Sequence, residues 1–251
     1  FLNRRPSALS LLGVAIGVLS VFLLTAIGEG GVRFVVDQFA SLGSSVVIIA
    51  PGRNETTGGI PHGIGGIPND LTLRDTIILE RRIQSVRHAV PISISTDSIS
   101  YGQRSRSVPI VGATSDFQRL QRLEIASGLF LPEGEIDRGN SVVVLGHTVA
   151  HELFGGANPL GETVRIGGWR MRVIGVLVER GTQLGMQVDE SVFIAIATGM
   201  RMANRSSVHR IMLELHPKAS PDRAIEEVKK ILIERHDEED FTCVSQEAVL
   251  E

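Results

Sequence analysis

The chain has one cysteine, Cys243, among 251 residues, so an intrachain disulfide is excluded and cysteine usage says little about compartment. Aromatic residues are scarce: one Trp and one Tyr stand against 27 Gly, which describes a turn-rich domain with few ring contacts. No basic surplus exists either. Lys and Arg number 25 and Asp and Glu 28, a net charge of −3, which leaves no electrostatic footprint for nucleic acid. No G-x-S-x-G elbow occurs, which removes one common serine-hydrolase arrangement, and no H-E-x-x-H occurs, which removes a common zinc-hydrolase one. The P-loop pattern is present only in a defective form. In "GANPLGET", Gly156 to Thr163, Glu162 stands where a lysine would neutralise phosphate, and the stretch leads into a strand instead of opening a helix. His147 and His151 share a helix face at i, i+4, with Glu152 next to them, yet the sequence places no third metal ligand nearby. "HDEED", residues 236–240, reads as a helix-end charge cluster, with an incidental cation as its other reading. Asn54 and Asn204 begin N-x-[ST] triplets, which matter only in a eukaryotic secretory setting. No catalytic, cofactor-binding or metal residue is expected.

What is present is an apolar start. "LSLLGVAIGVLSVFLLTAIGEGG" occupies residues 9–31. No charge lies between Arg5 and Glu29, roughly 23 residues, or ~34 Å of helix, enough for a hydrocarbon core of ~30 Å. A lone apolar segment satisfies its backbone in lipid only as a helix. Arg4 and Arg5 before it favour a cytoplasmic start over residues 1–8, so the span 9–28 would emerge on the far side. A cleaved signal peptide is the rival reading, but the apolar stretch exceeds the usual ~7–15 residues and no clean A-x-A site follows. Gly13 and Gly17 form a G-x-x-x-G pair where another helix could pack closely.

Beyond the span, Val32, Val35, Val36, Phe39 and Leu42 recur at helical spacing, which predicts an amphipathic stalk helix over 29–43 closed by Gly43. Gly28, Gly30 and Gly31 at the junction argue for a hinge there. About 220 residues follow the span, enough for one large domain or two lobes with real cores. "SSVVIIAPG" predicts a short buried strand, residues 52–69 a long Gly/Pro loop, and Thr72 with Asp75 a capping box for a helix to about Arg87. "ISISTDSISYG" and "RSRSVPIVGA" alternate as strands with one wet face. "NSVVVLG" predicts a buried strand and "HTVAHELFG" a helix. "TVRIGGWRMRVIGVL" predicts a hairpin turning on Gly167-Gly168. "ESVFIAIA" and "HRIMLEL" predict further strands. "SPDRAIEEVKKILIERH" predicts a helix capped by Ser220, with Pro221 first and Ile225, Val228, Ile231 and Leu232 as its apolar stripe. "DFTCV" predicts a last strand, and "SQEAVLE", from Ser245, the start of a helix returning to the membrane. The fold class is α+β: a transmembrane helix and stalk, then a mixed-sheet extracytoplasmic domain.

Three blocks carry a resemblance. "LSLLGVAIGVLSVFLLTAIGEGG…LGSSVVIIAPG" resembles the first membrane helix, stalk and first strand of MacB-type ABC transporter permeases. "SVVVLGHTVAHELFGGANPLGETVRIGGWRMRVIGVLVERG" is similar to that family's "VVLG…LFG…PLG…I…VIGVL" block, and "ILIERHDEEDFTCVSQEAVL" to its "RH…DF" stretch. The blocks are collinear over nearly the whole chain and specific for the FtsX/LolC-related superfamily, though not for a substrate. The resemblance implies a MacB-like periplasmic core domain of two lobes: a porter-like lobe at 44–112 and 205–244, and a smaller inserted lobe at 113–204. It implies a bacterial inner-membrane location, a second permease copy, an ATP-binding cassette subunit carrying the ATPase, and a periplasmic adaptor with an outer-membrane duct. Apart from lipid and these proteins no partner is implied. A stalk seam would join Val32, Val35, Val36 and Phe39 to Val249 and Leu250 of the return helix over 245–251. A lipoprotein-releasing permease of the same superfamily, and a membrane-anchored periplasmic binding or sensor module without an ATPase partner, remain as alternatives.

Overall fold

Val46–Pro51 forms β1, and all four of Val46, Val47, Ile48 and Ile49 are buried, so this strand is covered on both faces. That coverage is why it reads as an unbroken apolar run in the sequence. The computed structural model describes residues 46–52, 70–183 and 186–245, all within the unit Ser45–Glu251. The expected span 9–28, the stalk helix 29–43, the loop residues 53–69 and residues 246–251 lie outside the described residues. Among the described residues no helix is long and apolar enough to cross a membrane.

After β1 come α1 (Leu73–Arg82), β2 (Val86–Tyr101), β3 (Arg104–Ala113), α2 (Asp116–Leu120), β4 (Ile125–Gly128) and β5 (Val142–Leu145). Then follow α3 (His147–Phe154), β6 (Thr163–Ile166), β7 (Trp169–Leu177), the small hairpin β8 (Thr182–Gln183) and β9 (Met186–Gln187), and β10 (Val192–Ala195). α4 (Ile196–Met202), β11 (Arg210–Leu215), α5 (Pro221–His236) and β12 (Phe241–Ser245) complete the order. The main sheet runs β12-β1-β11-β2-β3-β10-β5-β7-β4, with β6 attached to β2 and β7.

β2 is the spine. Its first half, through Ile92, pairs with β11, while Ser93 to Tyr101 pairs with β3. On one face of the first half, Val47, Ile49, Ile211 and Leu213 pack with Leu79 of α1 and with Ala224, Val228 and Leu232 of α5. The opposite face joins Val46, Ile48, Met212, Phe117 and Phe193. A third core lies under α3, where Val149 and Leu153 meet Ile99, Val143, Val164, Met171 and Ile194. Each such fully buried side chain contributes about 1.5–3 kcal/mol relative to exposure.

Several sequence expectations hold at residue level. Thr72 and Asp75 form the capping box: the Asp75 N–H donates to Thr72 Oγ1 at 3.3 Å, and the Thr72 N–H to Asp75 Oδ2 at 2.8 Å. Gly167 takes φ +54° in the two-residue turn, with Ile166 opposite Trp169. A side chain there would need a left-handed conformation that glycine adopts freely. The helix from Pro221 buries Val228, Ile231 and Leu232 as expected, with Ala224 beside them and Ile225 at the margin.

Four expectations are corrected. α1 stops at Arg82 instead of Arg87, because Val86 and Ala89 are claimed by pairing with Leu215 and Leu213 of β11. "ESVFIAIA" is a strand only to Ala195. α4 then begins, and it approaches β3 so closely that Gly199 and Gly112 face each other where a Cβ on Gly199 would sit 3.1 Å from the Gly112 Cα. Ser220 occupies the N-cap of α5, but its side chain makes no cap hydrogen bond. Ser245 is the last residue of β12, so a return helix does not begin there. α2 and β4 are additions that the sequence reading does not contain.

Candidate functional site

The described chain enters through β1 and leaves through β12, and these two strands are antiparallel neighbours. Val47 is opposite Ser245, Ile49 opposite Cys243, and Pro51 opposite Phe241. Val46, which opens β1, and Ser245, which ends β12, therefore lie at the same end of one strand pair, where paired strands run about 5 Å apart. β1 is further held by four register pairs to β11, Val46↔Glu214 to Ile49↔Ile211.

The other end of the pair is clamped. The Gly52 N–H donates to the Asp240 carbonyl at 2.8 Å, and Thr242 Oγ1 donates to the Gly52 carbonyl at 2.6 Å. Asp240 also carries a side-chain network. Its Oδ1 lies 2.9 Å from His236 Nδ1 at the end of α5, and His236 Nε2 lies 3.5 Å from Asp75 Oδ2 in α1. Arg235 Nε donates to Asp75 Oδ1 at 2.7 Å. The His236 ring meets Phe241 edge-on, with centroids 6.4 Å apart. Asp75 is 1% exposed. Burial pushes its pKa up, but the hydrogen bonds from Thr72 and Arg235 outweigh that and hold the carboxyl below its ordinary range. All four carboxylate oxygens of Asp75 and Asp240 have a donor between 2.7 and 3.2 Å, so the cluster is built as a clamp between α1, α5 and β12.

Between the two ends, Cys243 lies on β12 against the α5 core. Burial pushes its thiol pKa up to about 12, with smaller effects from Lys229 and Glu239, which pair at 2.8 Å. A thiol held protonated is a packing group and not a nucleophile.

Gly13, Gly17, Val32, Val35, Val36, Phe39, Val249 and Leu250 all lie outside the described residues. His147 and His151 do share one face of α3, with rings stacked 6.5 Å apart, and no group of three metal-ligating side chains gathers among the described residues. Glu162 accepts a hydrogen bond from the Tyr101 hydroxyl at 3.0 Å, in the loop entering β6. "HDEED" does sit at the end of α5, and within it His236 and Asp240 are buried partners. The clamp was missed because its members are scattered over 72–75 and 235–242. The one local signal was a charged helix end followed at once by an apolar strand.

The described residues form a mixed α+β domain whose first and last strands pair side by side. The chain belongs to the family of MacB-like periplasmic core domains, whose model matches residues 7–231. It is 29% identical over 235 residues to the macrolide export ATP-binding/permease protein MacB of Bdellovibrio bacteriovorus, covering 93% of this chain and 36% of that protein. It is 28% identical to the pyoverdine export ATP-binding/permease protein PvdT of Pseudomonas aeruginosa, over 86% of this chain and 34% of that one. The chain thus spans about a third of the length of the curated relatives it matches. In fold it resembles the periplasmic region of MacB from Actinobacillus actinomycetemcomitans, with a TM-score of 0.69 at 20% identity, over 83% of this chain and 92% of that structure. The extracellular domain of the ABC-type transporter YknZ from Gram-positive bacteria gives a TM-score of 0.64 at 17% identity, over 80% and 99% respectively.

Proposed function

We propose that this chain is the first membrane helix and extracytoplasmic domain of a MacB-type ABC transporter permease in a bacterial inner membrane. In this reading the ATPase resides on a partner subunit or domain, and the chain works beside a second permease copy. Movement driven by ATP inside is passed along a stalk to the domain outside, where a periplasmic adaptor and an outer-membrane duct receive the substrate. The observation that carries the reading is the pairing of Val47 with Ser245. A domain entered and left on adjacent strands can be driven by two parallel stalk segments acting together. The stalk seam would consist of Val32, Val35, Val36 and Phe39 against Val249 and Leu250, and Gly13 and Gly17 would face a neighbouring membrane helix.

The two-lobe division belongs to the same proposal. Residues 44–112 with 205–244 would form the porter-like lobe and 113–204 the inserted one. In support, β12, β1 and β11 come only from the first set, and β4, β5, β6, β7 and β10 only from the second.

The test is coupling in the complete transporter. Val35→Asp and Phe39→Asp place a charge in the seam, and export is expected to fall by tenfold or more while ATP hydrolysis continues, about the effect of 1.4 kcal/mol. Export at the wild-type level in both variants would overturn the stalk. Gly13→Leu with Gly17→Leu is expected to weaken assembly in membranes; unchanged crosslinking would remove the helix-packing role.

A further inference from the structure

His209 precedes β11 at the point where β2 leaves β11 for β3. Its own N–H donates to the Ile92 carbonyl at 2.8 Å, and its ring Nδ1 lies 3.1 Å from the Ile94 N–H. That backbone group can only donate, so Nδ1 must be the accepting nitrogen and Nε2 must carry the proton. Nε2 nevertheless faces Nη1 of Arg205 at 3.1 Å. A guanidinium has no acceptor. Two donors therefore meet head-on, and one acceptor lying between them would satisfy both.

The surroundings point to the charge of that group. Arg210, next along the chain, is half-buried and opens β11 opposite Ile92. Among the described residues no carboxylate pairs with Arg205 or Arg210. Burial, then the charges of Arg205 and Arg210, hold the His209 pKa below its ordinary value, and no acidic group offsets them. A neutral imidazole N–H and one exposed guanidinium thus face each other, and Arg210 adds its positive charge close by.

We infer that Arg205 and His209 form a binding site for an oxyanion, which would accept from His209 Nε2 and the Arg205 guanidinium, with the neighbouring Arg210 adding positive charge. Guanidinium groups suit phosphate, sulfate and carboxylate equally well in geometry. Exposed Arg205 leaves the site open to solvent, so the ligand arrives freely. Its place in the fold gives it a consequence. Arg205 belongs to the turn after α4, whereas His209 directly precedes β11, so a bound oxyanion would tie that connection to the strand where β2 changes partners. The inference is independent of the permease reading.

The probe is labelled inorganic phosphate, equilibrated by dialysis with the full chain in detergent at constant ionic strength. The wild type is expected to show saturable binding at one site, with a dissociation constant of about 1 mM or tighter. Arg205→Ser removes one charged donor from an exposed position and should weaken binding by about tenfold or more. Arg170→Ser, an exposed arginine on β7, should leave it unchanged. Displacement of phosphate by an equal concentration of acetate affirms the site and assigns it to carboxylates; retention of phosphate affirms it for tetrahedral oxyanions. Absence of saturable phosphate binding, equal binding by Arg205→Ser, or an equal loss in Arg170→Ser would each overturn the inference.

Discussion

On one side of the spine strand β2, every neighbouring pair is antiparallel: β12 with β1, β1 with β11, β11 with β2. On the other side, β3 runs parallel to β10 and β5 parallel to β7, alongside antiparallel pairs. Parallel pairs demand long crossovers, and α3 with β6 supplies the one between β5 and β7. The antiparallel side holds both chain connections and the Asp75–His236–Asp240 clamp. The mixed side carries a small aromatic cluster beside its aliphatic core: Phe193 of β10 lies 5.9 Å from Phe117 and 6.1 Å from Phe130. Its notable polar anchor, Asp189, accepts from the backbone N–H groups of Arg180 and Gly181. The difference teaches that both sides share apolar packing, and that the antiparallel side adds a buried charged cluster joining α1, α5 and β12.

Phe193→Ala gives the largest expected effect and tests the packed side. Phe193 is 0% exposed at the meeting of two rings and β5. The loss should be about 3–5 kcal/mol in urea unfolding, since the cavity cannot collapse between strands. A cost under about 1 kcal/mol would show that ring packing does not hold the mixed side.

Asp75→Ala tests the clamp. It leaves the partly exposed Arg235 unpaired and removes the Asp75 half of the capping box, for a loss of about 2–3 kcal/mol. The pH dependence has a definite sign. The folded carboxyl has a lowered pKa, so its contribution is full above the unfolded value of about 3.9 and disappears as pH falls through the folded one. The stability gap between wild type and variant should therefore narrow below about pH 4. A gap that is constant with pH would mean that the charge of Asp75 contributes nothing.

Much of the local structure was legible because it is written in short-range chemistry. The Thr72–Asp75 box, the Gly167-Gly168 turn and the Pro221 helix start each need only neighbouring residues. What was not legible depends on partners far along the chain. Val86 prefers no particular state locally; Leu215 decides it. Ile196–Met202 is apolar enough to continue the strand before it, and becomes a helix by packing Gly199 onto Gly112. The clamp needed knowledge that the C-terminus of α5 meets the N-terminus of α1. The pairing of Val47 with Ser245 is a consequence of topology; the sequence supplied only the requirement that an inserted domain enter and leave nearby.

Cys243 offers a gentler test of the antiparallel side. Its thiol pKa of about 12, set mainly by burial, lies above the unfolded value of about 8.5. The folded state then holds its proton more tightly, so this contribution is full below about pH 8.5 and is lost as pH rises toward 12. Relative to Cys243→Ala, the wild type should lose stability over that alkaline window. At pH 8 the native thiol should also resist iodoacetamide until the chain is unfolded. Rapid alkylation of the native chain would place β12 in a frayed state, and the clamp would then hold less than its geometry implies.

The smallest effect comes from the second ion pair between the same two helices. Arg82 of α1 and Glu234 of α5 meet at 3.1 Å, but their side chains are 52% and 60% exposed. Asp75 and Arg235 join α1 to α5 at 2.7 Å with the carboxylate buried. Water screens the first pair, and two long side chains lose freedom to form it, so a double-mutant cycle should return about 0–1 kcal/mol. The coupling should shrink further at 1 M salt, where the screening length is about 3 Å. A coupling above about 1.5 kcal/mol, insensitive to salt, would show that the helices are held from the surface as firmly as from within. The clamp at Asp75 would then be one of two equivalent ties instead of the one that fixes the antiparallel side.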